Sequence, residues 1–242
     1  MALKWHSAKV VAIEELTPST RKFILRCDSD TVSQFKPGQF ITLDLPIHEK
    51  RTKRWRSYSI ANLPSPIEST LELCIVYLED GLASEYLFQK IKIGDEIPFK
   101  GPAGTFVYPE GNRRRMVMIC TGTGIAPFRS MLLHLAQYND WPHGVHLIFG
   151  TRTEEGILYR EEMETLAIEN DHFSYDVVLS RQKDWSGYQG YVHQIYENQY
   201  KEVTKDVVFY LCGWSSMVDE ARSRLVDNLG YSTEQVRFEL YG

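Results

Sequence analysis

Beyond Glu110-Gly111-Asn112 the chain alternates short, almost unbroken apolar runs with segments of helical length, and nothing else in it constrains the fold so strongly. Strands are predicted over Met116–Cys120, Val145–Phe149, Tyr175–Leu179, Val207–Leu211 and Gln235–Leu240. Helices are predicted between them, over Pro127–Tyr138, Leu158–Ile168, Val192–Tyr200 and Met217–Leu229. A strand that is apolar on both faces needs cover on both sides, and a helical connection brings the chain back to start the next strand in the same direction. The pattern therefore predicts an α/β domain with a parallel sheet. Ligands of such sheets sit beyond the carboxyl ends of the strands.

The first half reads differently. Val10-Val11-Ala12-Ile13, Lys22 to Cys27, Phe40 to Leu45 and Leu71 to Tyr77 are short strand-like runs. Turn formers such as Pro37-Gly38 and Gly94-Asp95 separate them. One helix is predicted from Ser84 to Lys90. Strands spaced in this way suit an antiparallel barrel or sandwich. The boundary is expected in the polar Gly/Asn turn, which gives domains 1–110 and 111–242.

With 27 basic and 32 acidic residues the formal charge is -5, so no global attraction to nucleic acid is expected. No apolar stretch is long enough for a membrane span. The N-terminal residues show no secretory pattern, and a cytoplasmic protein is expected. The four cysteines, Cys27, Cys74, Cys120 and Cys212, lie too far apart for a clustered iron–sulfur pattern, and no metal site is predicted.

Thr121-Gly122-Thr123-Gly124-Ile125-Ala126-Pro127 follows the first parallel strand and opens its helix. Glycines there permit a tight turn and close approach of a phosphate, which free amides at a helix start can hold. Proline occupies the place of a third glycine, where its missing N–H costs nothing. An ordinary strand-to-helix turn is the competing reading. Phe149-Gly150-Thr151-Arg152 and Leu211-Cys212-Gly213 put glycines at two more strand ends, and Leu179-Ser180-Arg181 ends a third strand. Arg152 and Arg181 are either phosphate forks or solvated side chains.

Arg56-Ser57-Tyr58-Ser59-Ile60-Ala61-Asn62 carries the most information in the first half. On a strand, Arg56 and Tyr58 share one face. An aromatic face next to a hydroxyl suits a flavin, and a nearby arginine suits its diphosphate. A barrel strand with a core tyrosine accounts for the same residues.

Taken together, these motifs resemble the ferredoxin–NADP(+) reductase superfamily over essentially the whole chain. Arg56, Tyr58, Ser59 and Asn62 match its R-x-Y-S-x-x-[NS] segment, with Ile60 inside it. Gly81 and Ser84 match G-x-x-S at a helix start, and Gly101-Pro102-Ala103-Gly104 matches G-P-x-G. Gly122, Gly124 and Pro127 match T-G-x-G-x-x-P, whose threonine is Thr121, and Cys212-Gly213 matches a late C-G strand end. Phe238-Glu239-Leu240-Tyr241 is similar to the terminal segment of plant-type members, here followed by Gly242.

The resemblance implies an N-terminal antiparallel Greek-key β-barrel that binds FAD and a C-terminal α/β parallel-sheet domain that binds NAD(P)H. It implies that Tyr58 packs on the isoalloxazine, Ser59 reaches the N5 side, Arg56 meets the diphosphate, and Ser84 caps its helix. Gly122 to Pro127 and Gly213 are implied to hold the nicotinamide nucleotide, Cys212 to lie near the nicotinamide, and Tyr241 to cover the far flavin face. Ser180-Arg181, with Tyr188 as a third group, is similar to a 2′-phosphate site and favours NADPH. Trp185-Ser186-Gly187 followed by Gly190-Tyr191-Val192 resembles NADH-using members, so NADH stays open.

The implied reaction moves a hydride from NAD(P)H to FAD and then electrons to an acceptor. Lys50 to Arg56 holds five positive groups in seven residues. It either steers an acidic redox protein, such as a ferredoxin, a flavodoxin or an oxygenase component, or is a solvated loop. A flavin or quinone reductase acting on diffusible acceptors is the alternative function.

Overall fold

The computed structural model describes residues 4–27, 32, 34–65 and 67–241, so Gly242 lies outside the described residues. The chain divides into two compact units, Met1–Tyr108 with Ala126–His134, and Pro109–Ile125 with Leu135–Gly242. A linear boundary does not anticipate that a stretch of helix from the second half clusters with the first unit.

The first unit is built on β1 (Trp5–Thr17), β2 (Thr20–Arg26), β3 (Phe40–Asp44), β4 (Trp55–Ser59), β5 (Thr70–Val76) and β6 (Glu96–Ala103), with α1 (Leu82–Gln89) between the last two strands. All pairings are antiparallel, in the order β4-β3-β6-β1-β2-β5. A bridge from Ile60 to Leu73 joins the two ends of that order, which closes the sheet into a barrel. Alternate residues point inward: Phe23 and Leu25, Ile41 and Leu43, Leu71 and Leu73, Ile97 and Phe99 are all buried in one core.

Two strands depart from the expected pattern. β1 runs for 13 residues, although only Val10 to Ile13 reads as a strand. Register shifts at Val10/Ala12 and Glu15/Thr17 break its two-residue period. β6 is not apparent in the sequence, because Pro98 and Pro102 give the segment the look of a turn.

The second unit carries β7 (Arg115–Thr121), β8 (Val145–Thr151), β9 (Phe173–Leu179), β10 (Tyr188–Gln189), β11 (Val207–Trp214) and β12 (Val236–Tyr241). They pair in parallel in the order β10-β9-β8-β7-β11-β12. The helices after β7 are α2 (Ile125–Tyr138), most of which clusters with the first unit, and α3 (Arg160–Glu169), α4 (His193–Gln199) and α5 (Ser215–Ser223) of the second. Met116 to Cys120 are fully buried, as an all-apolar central strand requires. One face of the sheet packs Val117, Ile119 and Phe209 against Ile195 and Tyr196 of α4 and Val218 and Ala221 of α5. α2 ends where Asn139 takes the left-handed conformation (φ 50°), a common way to stop a helix. The single helix predicted to Leu229 is α5 followed by a π-helical turn over Arg224–Asn228. A polar network crosses the sheet's other end: His146 is hydrogen-bonded to Tyr200 Oη (2.9 Å) through Nδ1 and to Asp176 Oδ2 (3.0 Å) through Nε2.

Candidate functional site

In the first unit, β4 presents the motif in register with β3: Arg56 opposite Leu43, Tyr58 opposite Ile41, and Ser59 opposite Phe40. Tyr58 packs at the edge of the barrel core, and Ser59 is buried. Burial pushes the Tyr58 phenol up to about 12, only partly opposed by the Arg56 charge on the same face. The hydroxyl therefore keeps its proton and can donate a hydrogen bond throughout the physiological range. Arg56 Nη1 donates to the carbonyls of Lys53 (3.0 Å) and Trp55 (2.8 Å), which braces the guanidinium on the preceding turn. Ile60 is fully buried in the barrel core, so only its backbone can face a ligand.

Two motif residues have backbone partners of their own. Asn62 donates through Nδ2 to the carbonyls of Leu63 and Thr70, and its Oδ1 accepts the Glu72 amide, each at 2.9 Å. With both ends of its amide committed to backbone, Asn62 shapes the chain after β4. Ser84 does not cap α1. The N-cap is Gly81, and no side chain caps the helix there. Ser84 Oγ instead accepts the Leu78 amide (3.0 Å) and lies 2.9 Å from the Gly81 carbonyl, which closes the Leu78–Gly81 loop. A Cβ on Gly81 would come within 2.7 Å of that Oγ, so this tight closure depends on glycine. The uncapped first-turn amides of α1 remain suited to an anion such as a diphosphate.

β7 of the second unit ends at Thr121, and a 3₁₀ turn over Gly122–Gly124 leads into α2, whose first turn holds Pro127. Gly122 has φ 53° and open space where a side chain would be. Gly124 lies against β11, where a Cβ would fall 2.4 Å from the Cys212 carbonyl. The Thr121 hydroxyl is buried and has no hydrogen-bond partner among the described residues. A buried hydroxyl of this kind beside a glycine cradle fits the phosphate and amide chemistry of a nicotinamide nucleotide.

Cys212 lies directly opposite Cys120 in the ladder between β11 and β7. Both thiols are fully buried and pushed well above their usual value, chiefly by burial. For Cys212 the neighbouring Glu239 adds to the rise, while hydrogen bonds from the Tyr241 side chain and the Gly213 backbone oppose it. Cys212 is therefore a neutral thiol. Tyr241 ends β12 opposite Trp214, and its carbonyl accepts a hydrogen bond from Ser215 Oγ (3.1 Å). In the sequence Glu239 is only part of the terminal segment; the pairing of β12 with β11 brings it opposite Cys212.

At the other strand ends, backbone hydrogen bonds continue the ladder past β8 and β9. The Ser180 amide donates to the Thr151 carbonyl (3.0 Å), and the Arg181 amide to the Arg152 carbonyl (2.9 Å). Arg152 and Arg181 thus leave the sheet side by side, both exposed and neither in an ion pair among the described residues. Next to them Thr153, Glu154, Glu155 and Gln182 line an open cleft. Glu154 pairs with Arg160 (2.5 Å), which also holds Glu164 (2.8 Å). Tyr188 is exposed on β10, opposite Val178.

The Oxidoreductase FAD-binding domain family matches residues 7–108, and the Oxidoreductase NAD-binding domain family matches residues 118–223. Ferredoxin–NADP reductase B of Sorangium cellulosum is 32% identical over 240 residues, 97% of this chain and 96% of its own. The chain belongs to the ferredoxin–NADP(+) reductase family. As a family member it is an oxidoreductase with an FAD-binding and an NAD-binding domain. The anthranilate 1,2-dioxygenase electron transfer component of Acinetobacter baylyi is 33% identical over 222 residues, but the chain spans only 62% of that relative's length. A solved ferredoxin NADP+ reductase from Neisseria gonorrhoeae, with bound FAD and NADP, superposes with a TM-score of 0.82 at 27% identity over 99% of both chains. No described helix of this ferredoxin–NADP(+) reductase family member is long and apolar enough to cross a membrane.

Proposed function

We propose that this protein is a cytoplasmic FAD-dependent oxidoreductase that takes hydride from NAD(P)H onto FAD N5 and delivers electrons to a redox protein. Residues 1–110 serve as the FAD-binding domain and residues 111–242 as the NAD(P)-binding domain. Bound FAD supplies the conversion between a two-electron hydride donor and single-electron acceptors. The chain's residues supply position and electrostatics. Tyr58 offers a flat face and a permanently protonated hydroxyl, and Ser59 orients the N5 side. Arg56 and the α1 amides neutralise the diphosphate. Thr121, Gly122, Gly124, Pro127 and Gly213 hold the nucleotide, and the neutral thiol of Cys212 forms an unreactive wall beside the nicotinamide. Tyr241 covers the flavin in the absence of nucleotide.

What supports this reading above all is the end-to-end similarity to a ferredoxin–NADP reductase with both the Arg56–Asn62 and Thr121–Pro127 segments intact. NADPH is the favoured donor. Arg152 and Arg181 leave adjacent strand ends together, both exposed, where two guanidinium forks can meet one phosphate. The acceptor is an acidic ferredoxin, flavodoxin or oxygenase component. Asp44 engages Arg51 (3.0 Å) and Arg54 (2.8 Å), which leaves Lys50 and Lys53 of the basic run exposed to steer it.

Anaerobic stopped-flow reduction of FAD-loaded protein with NADH and NADPH in turn tests the reading. Rapid bleaching of the flavin, faster with NADPH, is expected, and a protein that takes up no FAD refutes it. Turnover of free flavins or quinones, with none of a ferredoxin or flavodoxin, would transfer the assignment to a diffusible-acceptor reductase.

A further inference from the structure

Within the first unit, the peptide that leaves the flavin motif is gripped from two sides. On one side β5 holds it: the Ala61 amide donates to the Glu72 carbonyl (2.8 Å), and Asn62 is bound by Glu72 and Thr70. On the other side α2 takes the two consecutive carbonyls. Arg129 Nη1 donates to the Ala61 carbonyl (2.8 Å) and to Glu72 Oε2 (2.8 Å), and Ser130 Oγ donates to the Asn62 carbonyl (2.7 Å). Ser130 and Ala61 are fully buried, so neither carbonyl can exchange its partner for water at small cost.

This grip is local and directional. Ala61 follows Tyr58 by three residues, and the Ile60 amide is tied to the Gln39 carbonyl (2.9 Å). Any rotation of the 61–62 peptides is passed to the end of β4. A helix that only needed to pack could do so through Phe128 and Met131, both fully buried. A partly buried guanidinium that holds one main-chain carbonyl and one carboxylate at once fixes orientation as well as distance.

We propose that Arg129 and Ser130 are positioning residues of the flavin site, holding the Ala61 and Asn62 carbonyls so that Tyr58 and Ser59 keep the register that binds FAD. The proposal rests on the flavin reading given above. It extends the site to a helix that carries none of the motif residues of the barrel.

The test compares FAD binding by the full chain and its Arg129→Met, Arg129→Lys and Ser130→Ala variants, all well below their unfolding temperatures. The readouts are the FAD dissociation constant from flavin fluorescence and the visible circular dichroism of the bound flavin. Arg129→Met is expected to weaken FAD binding about tenfold or more, and Ser130→Ala a few-fold, both with an altered dichroic spectrum. Arg129→Lys is expected to recover part of the loss, since an ammonium can still donate to the Ala61 carbonyl. Should Arg129→Met fail to fold, Ser130→Ala decides alone, because it deletes a single hydroxyl. Variants that lose thermal stability yet bind FAD with unchanged affinity and spectrum would overturn the proposal and leave a simple brace. A parent protein that takes up no FAD would instead overturn the flavin reading, and this proposal with it.

Discussion

Gly213 sits so close to Thr121 that a Cβ on the glycine would lie 2.6 Å from Thr121 Oγ1 and 3.0 Å from its carbonyl. The backbone of Gly213, at φ 139°, is also one that residues with a side chain rarely adopt. Gly213→Ala is therefore expected to cost about 1–3 kcal/mol of stability from strain alone. It should also crowd the Thr121 hydroxyl and weaken nucleotide binding. Thermal unfolding and NADP+ titration of the same variant measure the two effects separately.

Tyr58 offers a second test. Tyr58→Phe keeps the ring against the barrel core and removes only the hydroxyl, whereas Tyr58→Ala removes both. FAD affinity is expected to fall modestly in the first and by about tenfold or more in the second. Because burial holds the phenol near 12, wild-type activity should show no ionisation of Tyr58 between neutral pH and pH 10.

Substituting Arg152 or Arg181 by Gln should raise the KM for NADPH about tenfold and leave that for NADH nearly unchanged. Equal effects on both nucleotides would mean that the two arginines do not read the 2′-phosphate.

Electron transfer to an acidic protein acceptor should slow as salt is raised, because exposed charges steer encounter only within a Debye length. Lys50→Gln with Lys53→Gln should flatten that salt dependence and leave flavin reduction by NADPH unchanged. The measurement is acceptor reduction as a function of ionic strength.

The His146–Asp176 pair predicts the behaviour in acid. The hydrogen bond from His146, aided by its charge and by Gln199, holds the Asp176 carboxyl below its ordinary value of 3.8, against the opposing effect of burial. A carboxyl lowered in the folded state stabilises the fold above its unfolded pKa. That contribution disappears as pH falls through the folded value. Asp176→Asn should therefore be less stable at neutral pH and show a shallower loss of stability below about pH 4, as followed by acid titration of the unfolding midpoint.

Much of this was legible in the residues. The apolar runs of β7, β8 and β11 announced a parallel sheet because a buried strand has no polar face to confuse its reading. The helix ends came within a few residues, as capping allows. β6 was hidden because Pro98 and Pro102 resemble a turn, and β1 was truncated because its bulges break the alternation. Within the site, Thr121, Gly124 and Gly213 were readable from a local loop pattern. The actual use of Asn62 and Ser84 was not, since each bonds to backbone whose position depends on distant pairing. Glu239 and Arg129 escaped for the same reason: a strand register and a helix rotation place them, and neither is encoded in local spacing.

The assignment of Ala126–His134 to the first unit has a practical consequence for anyone who wants the barrel by itself. A gene fragment stopped at residue 110 would strip Phe106 of Phe128 and Tyr108 of His134, leaving sticky aromatic surface behind. Chimaeras spliced at that junction would pair one parent's barrel with the other parent's lid over its core. A crossover beyond residue 134 keeps that helix with its barrel but carries β7, an inner strand of the second sheet, along with it.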